Sequence, residues 1–329
     1  MGRWLRALLM LGGLGFVAYL VYRVGPATIW DSVSALGWRL LIVLCLPYSL
    51  MVVVDAAAWR VLFRGAHVPF LMLVRARLAG EAVNMATPTA SVGGEPLKAY
   101  LLRPWVPLSE GFAAVIADKT TVVTGQWLYL LAGLGAAVLI LDRSHALVLA
   151  MASLLVVEAL AVGGFVLVQT RGIFGGSGRL LGRVGLAPSA RYQGGLEDLD
   201  RALARFYRER LDRIAASALL HGLAWAGGGV EIFLVMYLLG RPVSLTTALV
   251  IESFGAAVKF ASFMIPASLG ALEGGYVAFF GAFGLGGAAG LTYVLVRRVR
   301  EVAWAALGLL TVTALRPRAA LVEPEAGGS

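Results

Sequence analysis

The chain has 329 residues, of which 59% are hydrophobic and 14% charged, with a mean hydropathy of +0.82 and a formal net charge of +9. Soluble domains run at roughly 45–50% apolar and about 25% charged residues, so a water-soluble enzyme or binding module is excluded and an all-α polytopic membrane protein is expected. The one cysteine, Cys45, excludes an intrachain disulfide.

In chain order, Arg3 and Arg6 open an apolar run over residues 5–21 that is similar to a signal peptide but lacks an Ala-x-Ala cleavage site. It is read as a retained first helix. Residues 24–38 carry Trp30 and Trp38 and suit a membrane interface. A span follows over 40–63. Residues 68–103 then break the apolar pattern with Arg75, Arg77, Glu81, Asn84, Glu95 and Lys98, and split at Pro88-Thr89-Ala90-Ser91-Val92-Gly93-Gly94-Glu95. Spans over 112–141, with Asp118 and Lys119 near its start, and over 146–168 come next.

Residues 171–213 form a basic loop with nine arginines. Its start is glycine-rich and expected to be flexible. Leu196, Leu199, Leu203 and Phe206 follow helical spacing, which predicts either an amphipathic helix on an anionic leaflet or a solvated helix with an ordinary apolar stripe. A span over 214–239 leads to residues 244–285, which carry Glu252, Lys259 and Glu273 and split at Pro266-Ala267-Ser268-Leu269-Gly270-Ala271-Leu272-Glu273. Residues 288–314, with Arg297, Arg298, Arg300 and Glu301 mid-way, read as one cavity-lining span or two short helices. Residues 315–329 read as a disordered tail.

The two split segments share a pattern of proline, serine, glycine and a glutamate seven residues after the proline. Hydrocarbon tolerates a broken helix and a carboxylate only where they are buried in protein or line a watery cavity. Each split segment is therefore read as a re-entrant helical hairpin, broken at Pro88, Gly93 and Gly94 or at Pro266 and Gly270. Three spans separate the hairpins, which places them on opposite faces as an inverted repeat. The expected fold has about six spans plus the two hairpins. With the N-terminus in the cytoplasm, sixteen arginines fall inside and four outside, as the positive-inside rule requires.

Eight basic residues remain in the apolar core: Arg75, Arg77, Lys98, Lys119, Lys259, Arg297, Arg298 and Arg300. Their candidate partners are Glu81, Glu95, Asp118, Glu252, Glu273 and Glu301. Glu95 and Lys98 share a helix face, whereas the adjacent Asp118 and Lys119 pair with other helices. The basic excess points to an anionic ligand such as a lipid phosphate, or the charges serve only to hold helices together. Glu95 and Glu273 either cap helix N-termini or exchange a proton, since burial raises a carboxyl pKa. The three histidines, His67, His145 and His221, are far apart in sequence, and only His145 has a nearby carboxylate, Asp142. No metal-ligand spacing, nucleotide fingerprint or nucleophilic constellation is visible.

Arg75, Arg77, Gly80, Glu81, Asn84 and Pro88, followed by Gly93, Gly94, Glu95, Lys98 and Leu101, resemble the signature of the flippase-like transmembrane domain of lysylphosphatidylglycerol synthases and their stand-alone relatives. Asp118 and Lys119 resemble that family's acidic-basic pair, and 266–273 with 297–301 resemble its C-terminal half. Within the family, 252–255, 263–266, 269–275 and 297–301 are most similar to the branch encoded with hopanoid-biosynthesis genes.

The resemblance implies one transmembrane domain over 1–314 in a bacterial inner membrane. This domain would move an anionic or hopanoid-type lipid between leaflets, without a cofactor or metal and without contact to nucleic acid. The site would comprise Arg75, Arg77, Asn84, Glu95, Lys98, Asp118, Lys119, Lys259, Glu273, Arg297, Arg298 and Glu301. The soluble aminoacyl-transferase domain of full synthases is absent from this sequence, so lipid translocation rather than enzyme activity is expected. The membrane lipid is the expected partner, with lipid-biosynthesis enzymes beside it. A second reading is a non-transporting subunit that presents lipid to such an enzyme. A third is an intramembrane enzyme.

Overall fold

The computed structural model describes residues 18–19, 21–22, 26–63, 65, 67–86, 93–141, 146–171, 190–209 and 211–319. Among them every regular element is helical: α1 (Pro26–Leu36), α2 (Leu40–Leu62), α3 (Phe70–Ala86), α4 (Glu95–Leu101), α5 (Leu108–Ile140), α6 (Ala146–Thr170), α7 (Ala190–Glu209), α8 (Leu211–Leu238), α9 (Leu245–Ala261), α10 (Ala271–Ala282) and α11 (Gly287–Ala319). Four helices are long and apolar enough to cross a membrane: α2 with the turn before it, α5, α6 and α8. Most of the expected first span, together with Pro88, Ser91, Asp142, His145 and the glycine-rich start of the basic loop, lies outside the described residues.

The spans form because uninterrupted apolar sequence satisfies its backbone internally and leaves no polar face. α8 lies at the centre and packs against α2, α5 and α9. One core gathers Ile232, Ile251, Tyr276, Phe280, Tyr293 and their neighbours; a second gathers Trp59, Leu62, Leu73, Leu102, Ala113 and Leu203. Side chains also tie the helices together: Gln126 Nε2 donates to the Ala256 carbonyl at 2.9 Å, and the Tyr129 hydroxyl to that of Leu249 at 2.7 Å.

Both breaks are present in the backbone. In the first, α4 restarts at Glu95 with Pro96 in its opening turn, where a missing N–H costs nothing. Gly94 lies against the backbone of Gly80 on α3, so closely that a Cβ there would collide with the Gly80 carbonyl. Only glycine fits at this contact. In the second, Ala267 (φ 52°), Ser268 (φ 51°) and Gly270 (φ 83°) adopt left-handed conformations before α10 begins. For the two non-glycine residues this costs about 1–2 kcal/mol each.

The two helix pairs correspond in their first limbs and in partners. α3 and α9 have 17 residues each, whereas α4 has 7 and α10 has 12, and each pair is followed by a long helix, α5 or α11. α4 packs on α5, the helix that follows it, and α10 on α11. The first limbs cross over, α3 packing on α11 and α9 on α5.

Three expectations are refined. Residues 288–314 lie within one continuous helix, not two short ones. The tail expected to be disordered from 315 is helical to Ala319, because the last turns of α11 simply continue. The apolar stripe of α7 is turned inward, with Leu203 and Phe206 buried against the second core. Protein, not an anionic leaflet, covers it. Tyr207 on the same helix donates to Gln169 Oε1 at 2.6 Å and contacts Thr120 at 3.3 Å, fastening α7 to α6 and α5.

Candidate functional site

The charged residues gather in two clusters, one at each break. The first is built on α3. Arg77, Glu81 and Asn84 are spaced four and three residues apart, so they line one helix face. Arg77 pairs with Asp118 of α5 at 3.1 Å and with Asp55 of α2 at 3.3 Å. His221 of α8 completes this group, its Nδ1 at 2.6 Å from Asp55 and its Nε2 at 3.1 Å from Asp118.

One turn along, Lys98 of α4 reaches Glu81 at 3.2 Å and Glu95 at 3.2 Å. Its stem crosses Gly80, which leaves room for it. Lys119 of α5 lies 3.6 Å from Glu95. Asn84 holds the break itself, accepting the Gly94 N–H at 2.7 Å through Oδ1 and donating to Glu95 at 3.4 Å through Nδ2. The cap of α4 is therefore Asn84, while Glu95 faces cations.

The second cluster is built on α11. Arg297 Nη1 donates to both oxygens of Glu252 on α9, at 2.9 and 3.0 Å, and to the Tyr276 hydroxyl of α10 at 2.7 Å. Tyr276 in turn donates to Glu252 at 2.6 Å. Arg298 bridges Glu273 at 2.8 Å and Glu301 at 2.9 Å. Its buried Nη2 has no hydrogen-bond partner among the described residues. Glu273 accepts the Gly270 N–H at 2.7 Å, so here the glutamate does cap the restarting helix while also holding an arginine. Arg300 points to the other side, pairing with Glu231 of α8 at 2.6 Å beneath the Tyr48 ring.

Lys259 of α9 joins the two. Much of its side chain is open, its ammonium lies 5.6 Å from the centre of the Trp225 ring, and it is within electrostatic reach of Glu81 in the first cluster and Glu301 in the second. No carboxylate among the described residues is within ion-pair distance of it. The clusters also differ from edge to interior. The Glu81 side chain is 45% exposed and that of Lys119 34%, against 3% for Lys98. Glu81, Lys119 and Lys259 are thus the open members of this set, whereas Lys98, Asp118, Glu252 and Arg297 are buried.

Of the site residues expected from sequence, all but Arg75 fall in or between these clusters. Arg75 is exposed on the opposite side of α3 from Arg77, as two positions two residues apart on a helix must be. Asp55, His221 and Glu231 belong to the clusters and were not among the candidates. Their signal was an ionisable residue inside a long apolar span, Asp55 in α2 and both His221 and Glu231 in α8. With Asp55 and Glu231 included and Arg75 removed, the seven cations Arg77, Lys98, Lys119, Lys259, Arg297, Arg298 and Arg300 face the eight carboxylates Asp55, Glu81, Glu95, Asp118, Glu231, Glu252, Glu273 and Glu301. The expected excess of basic groups is not found in these two clusters.

Helices of spanning length with charges confined to their interior describe a membrane protein. The family model described as "Lysylphosphatidylglycerol synthase TM region" matches residues 4–308. The chain belongs to this family. It is also similar to a "UPF0104 membrane protein" of Methanothermobacter thermautotrophicus (strain ATCC 29096 / DSM 1053 / JCM 10044 / NBRC 100330 / Delta H), 27% identical over 121 residues. That match spans 34% of this chain and 35% of the relative. No solved structure matches. Both clusters lie within the family match, so a lipid-related membrane function is the setting in which their geometry is read.

Proposed function

We propose that this protein carries a lipid between membrane leaflets, with the head group passing through the charged centre and the hydrocarbon beside it. The observation that carries this reading is the exposed Lys259, within electrostatic reach of two charged clusters that each form at a helix break. Burying charges in a membrane is costly, and structural pairing accounts for the buried charges but not for those left open. Broken helices around a central site are the construction used by secondary transporters. An apolar groove of about 500 Å³ between α5, α8 and α9, lined by Leu128, Tyr129, Gly133, Leu223, Leu249 and Val250, offers a place for hydrocarbon. It shares α9 with Glu252 and Lys259.

Glu81, Glu301, Lys119 and Lys259 offer donors and acceptors together, so a hydroxylated head group of a hopanoid-type lipid suits this edge as well as a phosphate does. In this reading the protein acts in a bacterial inner membrane as a transporter rather than an enzyme. The deciding experiment is flux in proteoliposomes, using the lipid identified by mass spectrometry on the gently purified protein. Faster exchange between leaflets than in protein-free vesicles is expected. Unchanged exchange, with faster turnover by an added lipid-modifying enzyme, would favour the lipid-presenting subunit.

The equal lengths of the first limbs and their crossing-over to the opposite long helix support an inverted repeat with alternating access. In a background lacking Cys45, single cysteines beside Arg103 and beside Arg241 are expected to react with impermeant reagent from opposite faces. Labelling of both from one face would exclude the repeat.

A further inference from the structure

A second polar cavity lies away from both clusters, at the corner between α2 and α3. It has a volume of about 450 Å³ and is lined by Arg60, Phe63, His67, Val68, Phe70 and Arg213, among others, with no carboxylate among the described residues that line it. Arg60 is in the last turn of α2 and Arg213 in the first turn of α8, both helices of membrane-spanning length. Such positions lie where hydrocarbon gives way to head groups.

Arg213 is fixed in place: its Nη1 donates to the carbonyls of Val61 at 3.2 Å and Phe63 at 2.8 Å at the end of α2. Arg60 lies 5.9 Å from the centre of the Phe70 ring. Neither arginine has a carboxylate within ion-pair distance among the described residues. Two guanidinium groups and an imidazole therefore line one cavity, beside Phe63, Val68 and Phe70.

We propose that this corner binds the phosphodiester head group of an anionic membrane lipid. Arginine presents a planar fork of donors that matches phosphate oxygens, and basic pockets between membrane helices take lipid head groups. The place of the corner at the ends of two helices of spanning length favours a lipid over a free anion. A glycerophosphate would also lay its glycerol beside Phe63, Val68 and Phe70, which inorganic phosphate would not reach. The volume suits a head group of that size. The site is separate from the transport reading and does not depend on it.

The test is lipid retention by the full chain in nanodiscs of phosphatidylcholine doped with phosphatidylglycerol, read by native mass spectrometry. A parallel melting series uses added inorganic phosphate. The wild type is expected to retain phosphatidylglycerol over phosphatidylcholine. Arg60→Gln should weaken that retention about tenfold while melting as the wild type does in phosphatidylcholine alone, because Arg60 is exposed and makes no ion pair. His67→Gln, also exposed, should act in the same direction. Arg241→Gln, at an exposed arginine outside both this corner and the charged clusters, should leave retention unchanged. Retention indifferent to both Arg60→Gln and His67→Gln would overturn the site. Stabilisation by inorganic phosphate equal to that by the lipid would overturn the lipid as its ligand.

Discussion

Arg297→Met is expected to destabilise the protein by about 3–5 kcal/mol, because it leaves the buried carboxylate of Glu252 without its cation. The Glu252 side chain is 1% exposed, and the Tyr276 hydroxyl would be its one remaining partner among the described contacts. The double variant Arg297→Met with Glu252→Gln removes both charges and keeps an acceptor for Tyr276. It is expected to recover most of the loss, since a buried ion pair often contributes little net stability over neutral groups of similar volume. Equilibrium unfolding in mixed micelles across the four members of this cycle measures the coupling. A loss below about 1 kcal/mol in the single variant would show that the pair does not hold α9, α10 and α11 together.

Lys259→Gln is expected to do the reverse, lowering lipid flux while leaving stability nearly unchanged. The ammonium is the one cation of the site with no carboxylate within ion-pair distance among the described residues, and its contact with Trp225 is worth about 1 kcal/mol or less. If it holds the head group, removing one charge-assisted contact of ~1.5–3 kcal/mol lowers flux by about tenfold or more. Lys259→Arg should keep much of the activity. Flux in proteoliposomes and melting in the same lipid are measured together. Equal flux in wild type and Lys259→Gln would remove Lys259 from the transport path. Lys98→Gln provides the contrast. Lys98 is buried between Glu81 and Glu95, so flux and stability should fall together.

Much of the site was legible because charges are conspicuous in apolar sequence. Arg77, Glu81, Asn84, Glu95 and Lys98 stood out by cost alone, and the three-residue step from Glu95 to Lys98 already placed them on one helix face. Asp118 and Lys119, being adjacent, had to serve different partners, and they do. Asp55 and Glu231 were passed over because each is a lone charge within an otherwise ordinary span. His221 was passed over because its partners are 166 and 103 residues away. Arg75 was included as a basic residue of the apolar sequence and of the family signature, although helical geometry separates it from Arg77.

The helices, their apolar character and the two breaks were determined by the sequence itself. Local rules suffice there: a glycine pair, a proline or a glutamate at a helix start acts on its immediate neighbours. Which charge meets which was decided only by the tertiary structure. An ion pair between distant helices depends on how α8 sets α2, α5 and α9 around itself, and on how α3 and α9 cross to the opposite long helix. Neither is encoded in spacing along the chain. The same packing turned a set of residues with an apparent basic surplus into two clusters of nearly balanced charge, and left Lys259 open between them.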